Sequence, residues 1–429
     1  MKNVINSVKG TRDFYPENMA VRTWLYNQVR QVSEMFGYQE YEAPILETLE
    51  LYAAKSSEEL VKKQSYAFLD KGGDEIVLRP ELTPSLARMI VQRQRQLSYP
   101  LRWWSFGPFW RYEAPQKGRT REFFQWNIDL IGVDTPEADA EMVAIVTALF
   151  KSLGLTPDEA VVLVNDRRLT NQELENLGVP AELRQDALGW IDRRDKLSPE
   201  KWDEYGAEIG FSPAQIEGTK AFLARTDLWQ ESESLRRVFA VLEAMGVQDY
   251  VRYDPGIIRG LPYYTGIVFE AFDVSGSVRR AILGGGRYNN LMAAVGGDPM
   301  PAVGFAMGDL VISLILEELG RVPDNLSDSP AAVLVTIFDE DSALASFNLA
   351  ANLRQAGLKI AIYPEVAKLA KQFKYADRIG TRLAAVLGPD EIAKGQVTIK
   401  NLDSREQSTL PKTEVAEFVK HILAGKKPS

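Results

Sequence analysis

Five arginines stand where this chain turns or where glycines let a ligand approach: Arg111, Arg119, Arg121, Arg259 and Arg287. A guanidinium presents a planar fork of donors that matches two oxygens of a phosphate, so such a group with few carboxylates nearby points to phosphate binding. Glu81, Gln125 and Asp129 add acceptors suited to an amine, and Tyr263 and Tyr264, close to Arg259, add a polar aromatic wall. Together these side chains can hold an amino compound beside a nucleotide phosphate. Most of them fall in one stretch, FWRYEAPQKGRTREFFQWNIDLIG from Phe109 to Gly132, which reads as two strands joined at Pro115, Gln116, Lys117 and Gly118.

What the chain lacks narrows the chemistry further. It has no cysteine, which excludes disulfides, thiolate metal sites and a thiol nucleophile. Its single histidine, His421, lies in the last helical pattern and reads as an ordinary surface residue. Histidine metal clusters and Ser–His relays are therefore excluded, and chemistry must run on Arg, Lys, Asp, Glu, Gln and Tyr. No protein metal ligands are expected.

A length of 429 residues implies two or three domains, and 45% apolar with 25% charged residues is an ordinary globular profile. No apolar run approaches the roughly 18 residues of a membrane span, and the N-terminus lacks a secretion-type apolar segment, so no membrane partner and a cytoplasmic location are expected. Net charge is −9, yet residues 331–429 hold 14 Lys+Arg against 11 Asp+Glu. That local excess permits a nucleic-acid partner without requiring one.

The elements that must position these residues follow from periodicity. Val21, Trp24, Leu25, Val29, Val32 and Met35 make residues 18–36 an amphipathic helix, and Gln39 to Ile45 reads as a strand with Pro44 at an edge or subunit boundary. Two short strands, 66–69 and 75–78, flank a Gly turn. Leu78 leads to Arg79-Pro80-Glu81-Leu82-Thr83-Pro84, where Thr83 is a candidate N-cap for a helix over 85–96. Glu81 and Thr83 thus sit at a strand-to-helix junction. After a helix over 136–154 and a strand over 161–165, residues 165–248 form a polar, helix-rich insertion punctuated by Pro180, Pro199 and Pro213. Strands return at 250–253, 266–273 and 281–283, and Gly284-Gly285-Gly286-Arg287-Tyr288 reads as a glycine-rich turn. Residues 321–330 are a linker by composition. Beyond it, strands at 332–338, 359–363, 383–387 and 396–401 alternate with helices, implying a small α/β domain with a largely parallel sheet.

KGTRDFYPE, RPELTP, FWRYEAPQKGRTREFFQ, RGLPYYTG and GGGRY follow one another in the order seen in histidyl-tRNA synthetases, a class II aminoacyl-tRNA synthetase family. KLAKQFKYADRIG and GPDEIAKGQVTIKNL resemble that family's anticodon-binding domain. The resemblance spans roughly residues 5–160 and 250–425, and RGLPYYTG is its most specific element. It implies an α+β fold: an antiparallel catalytic sheet flanked by helices, built from residues 1–164 and 249–322, with the helical insertion at 165–248 between them. An anticodon-binding α/β domain at 331–429 would follow. It implies ATP-dependent activation of L-histidine and transfer to tRNA(His), with Mg²⁺ on the β/γ-phosphates, and a homodimer formed partly around Pro44. By the same resemblance Arg259 and Arg111 are the catalytic arginines on the substrate carboxylate and α-phosphate. Glu113, Arg119 and Phe123 belong with Arg111 to the ATP site. Glu81, Thr83 and Gln125 would hold the α-amino group, with Asp129, Tyr264, Tyr263 and Tyr288 around the imidazole. Lys117 would meet the tRNA acceptor end, and Lys371 and Lys374 the anticodon.

Three departures stand out. After GFAMG the family commonly has an arginine that packs over the adenine, and here Asp309-Leu310-Val311 lacks it. The family's RGLDYY is RGLPYY, with Pro262, and GGGRYDG is GGGRYNN, with Asn289 and Asn290. The missing arginine leaves open a catalytically inactive paralogue acting as a histidine- or tRNA-sensing regulatory subunit. The retained RGLPYYTG segment and the C-terminal domain weigh against it. A class II synthetase for another amino acid is a third reading.

Overall fold

The computed structural model describes residues 5–53, 63–259, 263–276, 278, 280–324, 326 and 329–424. The chain divides into two compact units, Met1–Phe14 with Val21–Asp324 and Tyr15–Ala20 with Asn325–Ser429. The first contains strands β1 (Gln39–Glu40), β2 (Leu46–Thr48), β3 (Tyr66–Leu69), β4 (Glu75–Leu78), β5 (Leu101–Trp110), β6 (Glu122–Ile131), β7 (Ala160–Asp166), β8 (Val251–Tyr253), β9 (Ile267–Asp273), β10 (Ala281–Tyr288) and β11 (Ala302–Gly308). Its main sheet has the order β1-β5-β6-β11-β10-β9-β7-β8, and β2-β4-β3 form a small second sheet. The main sheet is antiparallel except at its two edges, where β1 runs parallel to β5 and β8 to β7. Helices α1 (Pro16–Met35), α2 (Leu49–Ala53), α3 (Thr83–Arg93) and α4 (Pro136–Ser152) come before β7 in the chain. Between β7 and β8 come α5 (Arg167–Asn176), α6 (Arg184–Ile191), α7 (Pro199–Glu208), α8 (Pro213–Leu223) and α9 (Glu233–Ala244), and α10 (Leu291–Ala294) and α11 (Asp309–Glu318) flank β11.

Side chains alternate faces along a strand, and that alternation divides the sheet into a core side and a site side. Trp126, Ile128 and Leu130 of β6, Val303, Phe305 and Met307 of β11, and Ile267, Phe269 and Ala271 of β9 join one core cluster with Leu25, Val29 and Val32 of α1 and the buried face of α4. The residues between them, including Gln125, Asn127 and Asp129, point the other way. α4 begins sharply because Thr135 caps Ala138 N–H, Pro136 starts the first turn, and Glu137 and Asp139 complement its positive end. The polar segment between β7 and β8 is helical for similar reasons. Ser198, Ser212 and Ser232 cap α7, α8 and α9, with Pro199 and Pro213 in first-turn positions. Trp190 and Trp202 stack at 4.0 Å and donate to each other's carbonyls, tying α6 to α7.

In the second unit β12 (Val333–Val335), β13 (Ile360–Ile362), β14 (Leu383–Val386), β15 (Gln396–Asn401) and β16 (Gln407–Pro411) take the order β13-β12-β14-β15-β16. The helices are α12 (Ala343–Gln355), α13 (Leu369–Arg378), α14 (Pro389–Lys394) and α15 (Val415–Leu423), which carries an exposed His421.

Four local expectations need correcting. Residues 39–45 are not one strand: β1 and β2 join different sheets, and the chain breaks between them at Ala43-Pro44, where proline has no ladder donor and Arg79 Nη1 takes the Ala43 carbonyl at 2.9 Å. Thr83 is the first residue of α3, not its cap. Leu82 stands at the N-cap without a side-chain bond. Gly284 to Gly286 are not a turn but the middle of a central strand. A Cβ on Gly285 would meet the Gly304 carbonyl and Phe305 at 2.5 Å, so glycine there serves sheet packing. The C-terminal sheet is only half parallel, because β15 and the unforeseen β16 add antiparallel ladders.

Candidate active site

A cavity of about 380 Å³ opens on the site side of the sheet. β6 supplies Gln125, Asn127 and Asp129 in alternate positions, and β10 and β11 run beside it as glycine-rich floor. Glu81 reaches in from just before α3 and Thr83 from its first turn, Arg111 from beyond β5, and Arg259, Tyr263 and Tyr264 from the segment between β8 and β9.

At one end lies Asp129, 6% exposed. Gly304 faces it across the β6–β11 ladder, and a Cβ there would collide with the carboxylate. Tyr288 Oη donates to Asp129 Oδ1. Burial pushes the carboxyl up to about 7, and the Tyr288 hydrogen bond only partly offsets that. Tyr263 packs 4.9 Å from Tyr264 and 6.1 Å from Tyr288, ring to ring. Burial raises Tyr264, against the pull of Arg259, so it stays a hydroxyl donor at neutral pH. This end suits a small heteroaromatic ring with two polar atoms.

The other end is cationic. Arg259 lies over Gly284, where any side chain would clash, and pairs through Nη1 with Glu270 of β9. Burial works against its charge, but Glu270 holds it firmly protonated. Its φ is +57°, a left-handed backbone that non-glycine residues rarely adopt. Asn165 steadies the approach: its buried Nδ2 lies 3.0 Å from the carbonyls of Pro255 and Ile257 and from Thr170 Oγ1. Arg111 donates Nε to the Pro80 carbonyl at 2.9 Å, and its guanidinium sits 5.3 Å from the Phe123 ring centre, leaving its other nitrogens for a ligand. Beneath it Arg79, fully buried, bonds Pro108 and Ala43 carbonyls and Glu42, fixing β4 against β5.

Glu81, Thr83, Arg111, Gln125, Asp129, Arg259, Tyr263, Tyr264 and Tyr288 therefore converge on one cavity. Glu113 and Arg119 sit on the loop between β5 and β6, where Arg119 Nε pairs with Glu113 at 2.7 Å, and Phe123, near the start of β6, stacks on buried Phe109 at 5.9 Å. Lys117 is exposed and pairs with Glu318 of α11. In the second unit Lys371 pairs with Glu365 and Lys374 is exposed. Pro262 lies outside the described residues.

The five-arginine group does not hold together. Arg287 points into the core side, bidentate on Asp139 and bonded to the Val133 and Thr135 carbonyls, where it clamps the start of α4. Arg121 donates to the Glu113 carbonyl and lies 4.0 Å over Tyr112, shaping the loop. Among the residues the sequence reading missed, Asn127 and Glu270 were findable, since each lies on a cavity-facing strand position. Asn127 is 4% exposed, and its Nδ2 has no partner among the described residues. Asp192 and Lys196, which reach the cavity from beyond α6, carried no sequence signal, because only tertiary folding brings them there. Among the described residues no group of three or more His, Asp or Glu could hold a metal ion.

A family model described as histidyl-tRNA synthetase matches residues 10–309, and one described as an anticodon binding domain matches residues 332–422. Histidine–tRNA ligase of Opitutus terrae is 37% identical, covering 97% of this chain and 98% of its own. The Pyrococcus horikoshii enzyme of that name is also 37% identical, over 98% of this chain and 100% of its own. The crystal structure of histidyl-tRNA synthetase from Nostoc superposes with a TM-score of 0.83 at 26% identity, over 98% of this chain and 100% of that one. Full-length coverage, with both the cavity and the C-terminal unit included, leads to one conclusion: this chain belongs to the histidyl-tRNA synthetase family.

Proposed function

We propose that this cavity activates L-histidine with ATP and hands the histidyl group to tRNA(His), as the names of its relatives indicate. The observation that carries the reading is polarity within one cavity: a carboxyl ringed by tyrosines at one end, two guanidinium groups at the other, and amine acceptors between. Its volume falls within the range of about 300–1,000 Å³ typical of small-ligand sites. A catalytically inactive, regulatory role is not favoured, since relatives matching almost the whole chain are named ligases.

The histidine carboxylate is already ionised at neutral pH, so its attack on the α-phosphorus of ATP needs no general base. It needs alignment and neutralised charge. Arg259 would bridge the carboxylate and α-phosphate, and Arg111 would hold the phosphate from the other side. Glu81, Thr83 and Gln125 would take the α-amino group. Asp129, with Tyr264, Tyr263 and Tyr288, would read the imidazole, and an apolar analogue would leave those polar groups unsatisfied. Glu113, Arg119 and Phe123 would frame the nucleotide. Glu270 would release Arg259 as substrate charge arrives. The scattered carboxylates suit Mg²⁺ only as a companion of the nucleotide phosphates, where it would neutralise charge on the departing pyrophosphate.

For tRNA, the anticodon would meet the second unit at Lys371 and Lys374, and the acceptor end would meet Lys117. A homodimer would form through the small sheet, where Leu46 and Phe68 are about half exposed. No described helix is long and apolar enough to cross a membrane, and the cytoplasm is the proposed location.

Histidine-dependent ATP–pyrophosphate exchange tests the reading. Arg259→Ala is expected to lower the rate by roughly a hundredfold or more, as for loss of one charge-stabilising donor. Folded wild-type protein with no exchange in Mg²⁺ and histidine would overturn it.

A further inference from the structure

Resting on that ATP reading, we propose that Arg280 covers the purine of the nucleotide, supplying from the β9–β10 connection the guanidinium that Val311 does not provide. Arg280 immediately precedes β10. Leu283 faces Met307 on β11, so continuing the ladder three places sets Arg280 at the level of Leu310, beside Val311 in the first turn of α11. A bulge between Ala281 and Leu283 in the β9–β10 pairing bends this strand end.

The side chain reaches the nucleotide loop. A Cβ placed on Gly118 would lie 3.6 Å from Arg280 Cδ, 3.7 Å from Val311 Cγ2 and 3.8 Å from Leu314 Cδ1. Gly118 belongs to the tight turn closed by Gln116 and Arg119, and its φ of +75° favours glycine. The stem of Arg280 thus joins Val311 and Leu314 in an apolar layer against that turn, and its charged head projects beside Arg119 and Glu113.

That head is not committed to an acceptor among the described residues. Glu113 is committed to Arg119 at 2.7 Å. Arg280 is half-buried, and it makes no hydrogen bond or ion pair with any described residue. Burial and the neighbouring Arg119 both disfavour its charge, and Glu113 compensates only in part. The N–H donors of Arg280 lie in the guanidinium plane and can keep water while an aromatic ring covers the face. Val311 and Leu314, which share the contact with Gly118, give its stem apolar neighbours. A planar guanidinium stacks well on an aromatic face, so a purine fits this place better than a third anion contact does. The departure at Val311 then reads as a relocation of the cation from α11 to the neighbouring strand connection.

The test compares wild type, Arg280→Ala and Arg280→Lys in ATP–pyrophosphate exchange, with adenosine and inorganic tripolyphosphate as competitive inhibitors against ATP. Arg280→Ala is expected to raise KM for ATP roughly tenfold and weaken adenosine inhibition by a similar factor. Inhibition by tripolyphosphate and KM for histidine should not change. Arg280→Lys, which keeps the charge but loses the planar face, should fall between the two. Unchanged affinity for ATP and adenosine in Arg280→Ala would overturn the proposal. So would weakened tripolyphosphate binding with adenosine unaffected, which would make Arg280 a phosphate ligand. Wild-type protein without exchange would overturn the ATP reading as well, whereas active wild type with an indifferent Arg280→Ala sinks this proposal alone.

Discussion

Asp129 shows how one residue's surroundings set its chemistry. Burial raises its carboxyl to about 7, close to the ordinary range of a free imidazole. A bound histidine and Asp129 would therefore share a single proton around neutrality. Above about pH 7 that proton is lost, and below about 6.5 a second one arrives and weakens the attraction. KM for histidine is expected to pass through a minimum near neutral pH and to rise by about tenfold per pH unit well above it. Asp129→Asn should remove the alkaline rise, and a pH profile of exchange at saturating ATP would check this. The sign for folding is separate. A carboxyl raised from 3.8 supports the fold fully below that value and withdraws support as pH rises through about 7.

At the scale of elements, the site depends on strand alternation and on one loop held against its preference. Gln125, Asn127 and Asp129 face the cavity because Trp126, Ile128 and Leu130 face the core. Arg259 is different: it hangs from an irregular segment and adopts a left-handed backbone that costs roughly 1–2 kcal/mol. Asn165 at the end of β7 holds the preceding carbonyls of that segment. Asn165→Ala should leave those carbonyls unsatisfied and let Arg259 drift, and a displacement of about 1 Å can cost a hundredfold in rate. The expected outcome is a fall in kcat of tenfold or more with a smaller change in KM for histidine, because Asp129 and Tyr288 rest on β6 and β10. Steady-state kinetics would separate the two effects.

At the scale of the molecule, Leu46, Phe68 and Leu69 of the small β2-β4-β3 sheet, with Ile45 just before it, are exposed apolar residues that a monomer would leave in water. A second copy is the proposed cover. Leu46→Asp, placing a charge on that sheet, is expected to shift the protein toward monomer in light scattering and to lower exchange activity. A wild type that is monomeric at micromolar concentration would remove the basis for it. The −9 net charge and the basic excess of residues 331–429 belong to this scale too, since they bias a polyanion toward the second unit.

Much of the protein was legible from local chemistry. Strand period, serine–proline helix starts and the arginine-flanked turn at 115–118 are each encoded within a few residues, and motif order revealed the family. The same local reading grouped Arg287 with the phosphate ligands and took Gly284 to Gly286 for a turn. Both errors share a cause. Whether an arginine meets a phosphate or Asp139, and whether glycine serves a turn or a close strand approach, depends on what lies across the sheet. Sequence alone determined the cavity's residue types: arginines, amine acceptors and tyrosines, with no cysteine and no histidine to assist. Only the tertiary structure decided which of them converge, because packing brings Asp192, Lys196 and Arg280 to places that no local spacing records.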